Sequence, residues 1–104
     1  MIVYIAGRVT GDPDYKRKFV HAMAVVRKLG HTPLTSASLP AGLREADYMR
    51  ISLAMIESAD LVLFLPDYTK SEGAIVEWLW CQKTGRAWDF FTRWEAEQEV
   101  LKCE

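Results

Sequence analysis

The chain has only two cysteines among its 104 residues, Cys81 and Cys103, and their spacing does not set ligands around a metal ion. This scarcity excludes a disulfide scaffold and argues against a zinc module, and it places the protein in a reducing, cytoplasmic setting. No apolar run approaches the roughly 18 residues that cross a bilayer, and no charged-then-apolar leader opens the chain, so neither a membrane span nor a signal peptide is expected. An excess of one charge is missing too. A net charge of −1 argues against general affinity for polymeric nucleic acid. The local clusters Lys16-Arg17-Lys18 and Arg27-Lys28 read as the solvated face of an amphipathic helix. Repeats, linkers and low-complexity segments are absent, which leaves one domain over residues 1–104.

What is present is a globular composition, 50% hydrophobic and 26% charged. Residues 1–6 form a short β-rich run closed by Gly7, as in a buried strand. Tyr15, Phe19, Ala22, Val26 and Leu29 recur at helical spacing up to Gly30. Residues 31–35 form a second strand that Pro33 assigns to a sheet edge. Residues 45–58 read as a second helix with Tyr48, Ile51, Met55 and Ala59 along one side. Residues 61–65 are a continuous apolar strand, as inside a parallel sheet. A third helix over 71–83 ends at Gly85; a short strand at 86–91 and a closing helix at 93–102 complete the chain. Strand and helix alternate, so the expected class is α/β, a parallel sheet covered on both faces. Ligands bind such sheets at the carboxyl ends of the strands, which here means the loops after Ala6 and Leu65.

Glu77 is the most informative residue. From Ala74 to Cys81, seven of eight residues are apolar or Cys, and Glu77 is the exception. A helix apolar all round is expected to be buried on most sides, and an isolated carboxylate there costs several kcal/mol unless something pairs with it. The bland alternative is a buried ion pair with Arg8 or Arg50. The loop Gly7-Arg8-Val9-Thr10-Gly11 offers free backbone, a hydroxyl and a guanidinium at a helix start, which suits an anion as well as a simple turn. Ser71 reads equally as an ordinary helix N-cap. Gly73, four residues before Glu77, leaves that side of the helix unshielded.

Taken together, Ser71-x-Gly73-x-x-x-Glu77 directly after Leu65-Pro66-Asp67, in a chain that opens Tyr4-Ile5-Ala6-Gly7, resembles the nucleoside 2-deoxyribosyltransferase superfamily over residues 1 to about 85. The resemblance looks closest to the small branch with 2′-deoxynucleoside 5′-monophosphate N-glycosidases. It implies a flavodoxin-like (Rossmann-like) three-layer sandwich with a four- to five-stranded parallel sheet, and no cofactor or metal. It also implies that Glu77 attacks C1′ of the sugar and that Tyr4 holds its carboxylate. Serine rather than aspartate at position 71 implies a substrate phosphate, with Gly7, Arg8, Thr10, Gly11 and Gly73 completing the substrate-binding set. The branch places an acidic residue early in the second helix, where Ala54 stands here, leaving Asp67 or Asp47 to protonate the departing base. The expected activity is therefore cleavage of the base–sugar bond of a small-molecule (deoxy)nucleotide, with transfer to a second base as the runner-up. A nucleotide-binding or regulatory module without turnover, and a scaffold using the Trp78 and Trp80 helix as an interface, are the rivals from other classes. Trp78 and Trp80 point about 200° apart on a helix, so one sheet face cannot bury both, and a homodimer is expected.

Overall fold

The computed structural model describes residues 1–103. Four parallel strands, β1 (Ile2–Ala6), β2 (Thr32–Leu34), β3 (Leu61–Phe64) and β4 (Trp88–Phe90), lie in the order β2-β1-β3-β4. Four helices, α1 (Tyr15–Lys28), α2 (Glu45–Ser58), α3 (Glu72–Thr84) and α4 (Phe91–Cys103), cover the two faces. The α/β class and the parallel sheet agree with expectation. Pro33 does sit on an edge strand, where its missing N–H costs no ladder bond.

Period-two alternation divides the core. Val3, Ile5, Leu63 and Leu65 face α1 and α4, where they meet Phe19, Ala22, Val26, Phe91 and Trp94. Tyr4, Ala6, Val62 and Phe64 face the other way and meet Ile56, Ala59 and Cys81 of the α2–α3 layer. Tyr4 is thus committed to the same side as α3 by strand geometry alone. Its side chain is fully buried, with Val62 and Leu34 as its neighbours in register.

Two helices depart from the sequence pattern. In α2 the buried positions are Ser52 and Ile56, so its inner face lies one residue on from the one that Ile51 and Met55 indicated. Ser52 tolerates this place because its hydroxyl donates to the Met49 carbonyl at 3.1 Å. In α3 only Ala74, Glu77 and Cys81 are buried, at i, i+3 and i+7. Ile75, Val76 and Leu79 face outward instead, so this helix is not buried on most sides. Trp78 and Trp80 are both half-buried: Trp78 packs at a tilt against Tyr68 and edge-on against Trp88, and Trp80 Nε1 donates to Glu57 at 2.9 Å. Gly85 ends α3 in the left-handed region at φ 73°, which an L side chain rarely adopts.

The chain leaves β1 toward one sheet edge and returns to place β3 on the other side of β1, so the carboxyl ends of β1 and β3 flank the switch in strand order. The two loops meet there closely. A Cβ on Gly7 would lie 2.9 Å from Leu65 Cδ1 and 3.2 Å from Asp67 Oδ1, so only glycine fits without displacing the neighbouring loop.

Candidate active site

A cleft of about 260 Å³ opens at this switch point. Gly7, Thr10, Ser71 and Glu77 line it, as the sequence indicated, together with Ser36, Glu45 and Tyr48, which it did not. They come from four parts of the frame. Gly7 and Thr10 follow β1. Ser36 begins a single 3-10 turn after β2, capped by the Thr35 hydroxyl, which accepts from Ala37 N–H at 3.2 Å. Glu45 and Tyr48 occupy the first turn of α2. The Tyr48 hydroxyl donates to Pro40 C=O at 2.6 Å and accepts from Leu43 N–H at 3.4 Å, which pins the loop that forms the cleft wall. Ser71 caps α3 by accepting from Ala74 N–H at 3.2 Å, so the ordinary cap and the cleft-lining residue are the same side chain.

Glu77 lies at the base of the cleft, 5% exposed, and its Oε2 has no hydrogen-bond partner. None of the ion pairs among the described residues includes it. The structural alternative therefore fails. Arg8 Nε donates to its own loop at Thr10 C=O, 3.2 Å away, and Arg50 pairs with Asp47. Burial raises the Glu77 pKa to about 7, and the adjacent Tyr4 phenol pulls it part of the way back. Tyr4 itself is held well above the ordinary tyrosine range, first by burial and then by the Glu77 charge, so it stays a neutral hydroxyl. Its hydroxyl bond runs to Ser36 Oγ at 3.1 Å, while its phenol faces Glu77 without a well-formed bond. Cys81, one turn further along α3, is pushed to about 11 by burial and then by Glu77, so its thiol is inert.

Several expected residues lie elsewhere. Arg8 turns back over Gly11, with Nη2 only 2.8 Å from where a Gly11 Cβ would stand, and neither residue lines the cleft. Gly73 faces Met49 of α2. Asp67 accepts the Arg8 N–H at 3.1 Å and pairs with Lys18, which also donates to Arg8 C=O at 2.7 Å and to Asp12 at 2.6 Å. Lys18 is thus a strut between the two crevice loops rather than a solvated charge, and Asp67 is one of its anchors. Asp47 closes the capping box of α2, and Arg44 and Arg50 hold its pKa below the usual range. Neither aspartate lines the cleft. The carboxylate that α2 does present there is Glu45, nine residues before Ala54.

The four-stranded parallel sheet, its strand order and its two helical layers define the class: a flavodoxin-like α/β fold. The chain superposes on the solved 2-deoxyribosyltransferase of Bacillus psychrosaccharolyticus, a biocatalyst for nucleoside synthesis. The TM-score is 0.65 at 21% identity, over 85% of this chain and 69% of that one. No curated protein matches the chain. Residues 1–88 match the family described as Domain of unknown function (DUF4406), and the protein belongs to that family.

The raised pKa gives a stability test. A carboxyl at about 7 in the folded state and 4.5 in its ordinary state binds a proton on folding. The stability this contributes is complete below pH 4.5 and disappears as pH rises through 7, by about 3 kcal/mol. Glu77→Gln removes that slope. Thermal melts should place the variant above wild type at pH 8, with the two converging near pH 4. A variant that melts far below wild type at pH 8 would mean that Glu77 has a cationic partner.

Proposed function

We propose that the protein is an N-glycosidase that cleaves the base–sugar bond of a (deoxy)nucleoside 5′-monophosphate through a covalent bond to Glu77. The observation that carries this reading is the buried Glu77 carboxylate in the cleft, which belongs to no ion pair among the described residues and has one oxygen, Oε2, without a hydrogen-bond partner. A carboxylate stripped of water and of counter-charge is poised to bond an electrophilic carbon. One Glu77 oxygen attacks C1′, the C1′–N bond breaks, and its electron pair stays on the base nitrogen, which takes a proton from the Glu45 carboxyl. Water then attacks C1′, gives its proton to Glu45, and the Glu77–C1′ bond breaks. Glu45 replaces Asp67 and Asp47 as the general acid because it alone of the three lines the cleft. Tyr4 orients the nucleophile without ionising. Thr10, the Gly7 backbone and the first turn of α3 at Ser71 receive the phosphate, since a helix start favours an anion. A base instead of water in the second step would make the enzyme a transferase. The proposed setting is the cytoplasm, in keeping with a free buried thiol at Cys81.

We further propose a homodimer, on a surface other than the one first expected. Both tryptophans of α3 pack against the body of the protein, whereas Ile75, Val76 and Leu79 form a contiguous apolar face with exposures of 37, 44 and 53%. Such a face usually marks an interface.

Incubation with a panel of nucleotides, read by chromatography, should release free base. Glu77→Gln should lower the rate by several orders of magnitude and Glu45→Gln by roughly 10²–10⁴-fold. The kcat/KM profile should rise with pH toward a limb near 7 as Glu77 ionises. Full activity in Glu77→Gln would exclude the assignment, and equal activity on nucleosides and their monophosphates would exclude the phosphate site. In light scattering, the wild type should have twice the chain mass and Leu79→Glu the mass of one chain. A wild-type monomer at micromolar concentration would overturn the dimer.

A further inference from the structure

Three polar groups from three separate elements meet at the cleft, Ser36 and Glu77 in its lining and Tyr4 buried behind them. Tyr4 comes from β1, Ser36 from the turn after β2, and Glu77 from α3. Among the described residues, Ser36 Oγ is the one hydrogen-bond partner of the Tyr4 hydroxyl, and Glu77 Oε2 has none. When Glu77 is charged, two hydroxyl hydrogens serve all three groups. Hydroxyl hydrogens rotate toward the best acceptor. A bare carboxylate is the strongest acceptor present, so Tyr4 then turns its hydrogen to Glu77, and the Tyr4 oxygen takes one from Ser36. A carboxyl that is protonated, or esterified to a sugar, accepts weakly. The Tyr4 hydrogen then returns to Ser36 Oγ, and the Ser36 hydrogen points into the cleft that Ser36 lines.

We propose that Ser36 is a positioning residue for the nucleophile, the outer end of a two-hydroxyl chain that donates inward to a charged Glu77 and outward to the cleft once Glu77 is neutral or bonded to sugar. The proposal rests on Glu77 being the nucleophile, as argued above. No covalent bond within the chain forms or breaks; only hydrogens rotate. The other groups on this side of the site give the charge no help. Cys81 on α3 is a buried neutral thiol, Glu45 on α2 is an acid on the same cleft, and no lysine or arginine of the described residues pairs with Glu77. The hydroxyl chain is therefore the donor set that keeps a buried carboxylate usable near neutral pH.

The test is a carboxyl ¹³C NMR titration of the full chain with labelled glutamate, the Glu77 signal being assigned by its loss in Glu77→Gln. Ser36→Ala should move the Glu77 midpoint upward by about one pH unit, because a supported donor becomes an unsupported one. Ser36→Thr should restore it. In a Tyr4→Phe background Ser36→Ala should move it no further, since the chain is already cut. Should Ser36→Ala fail to fold, Ser36→Cys, of similar size and weaker donor strength, reads the same shift. A residue that only packs would lower the melting temperature by the same amount at every pH and leave the midpoint in place. That outcome, or an equal shift with Tyr4 absent, overturns the chain. Wild-type protein that releases no base while showing these NMR shifts overturns the glycosidase reading and not the hydroxyl chain.

Discussion

The dominant constraint is a single carboxylate held out of water with no cation to balance it. Burying Glu77 opposes folding by about 3 kcal/mol above neutral pH, a large fraction of the net stability of a small domain. The fold accommodates it by burying Tyr4 beside it in the apolar layer under α2 and α3 and by placing Glu77 in the wall of the cleft. The strands provide the rigidity. Val3, Tyr4, Ile5 and Ala6 are all buried, and the register that places Tyr4 beside Val62 and Leu34 leaves its ring nowhere else to go.

The cleft itself depends on loops held in place by polar contacts rather than by core packing. Lys18 joins the loop after β1 to the loop after β3 through Arg8 C=O, Asp12 and Asp67, and Gly7 lets the two loops approach. Tyr48 pins the third wall to Pro40 and Leu43. These groups touch no reacting atom in the proposed mechanism; they hold the loops that bring Glu77 of α3 and Glu45 of α2 to one cleft. Separating the support from the chemistry lets one sheet end present several side chains to one small volume.

Much of this was legible in the residues. The alternation of apolar strands with periodic helices marked the α/β class, Pro33 marked the edge, and the lone carboxylate of an apolar helix marked the base of the cleft. The illegible parts share a cause, which is that they depend on where loops and polar side chains end up in space. The inner face of α2 was set at Ile51 and Met55 rather than Ser52 and Ile56, because nothing local shows the Ser52 hydroxyl turning onto Met49. Lys18 looked like one charge in a basic run, though its ammonium reaches across to Asp67, 49 positions along the chain. Arg8 was expected to bind an anion and Asp67 to supply the acid missing at Ala54, but backbone and ion-pair contacts turn both side chains aside. Glu45 and Ser36 were overlooked for the opposite reason: a helix-start glutamate and a loop serine carry no signal until the fold brings them to the cleft that Glu77 lines.

The account comes down to whether Glu77 bonds to a sugar carbon. A nucleotide fluorinated at C2′ slows both displacements by destabilising their cation-like transition states, and a base that leaves readily keeps the first faster than the second, so the bonded state accumulates. Acid quenching during turnover, followed by peptide mass spectrometry, then shows where any sugar phosphate is attached. The account predicts one sugar phosphate per active chain on the peptide that contains Glu77, and none on Glu77→Gln. Base release with the label on another residue, or with no label on any, would contradict it.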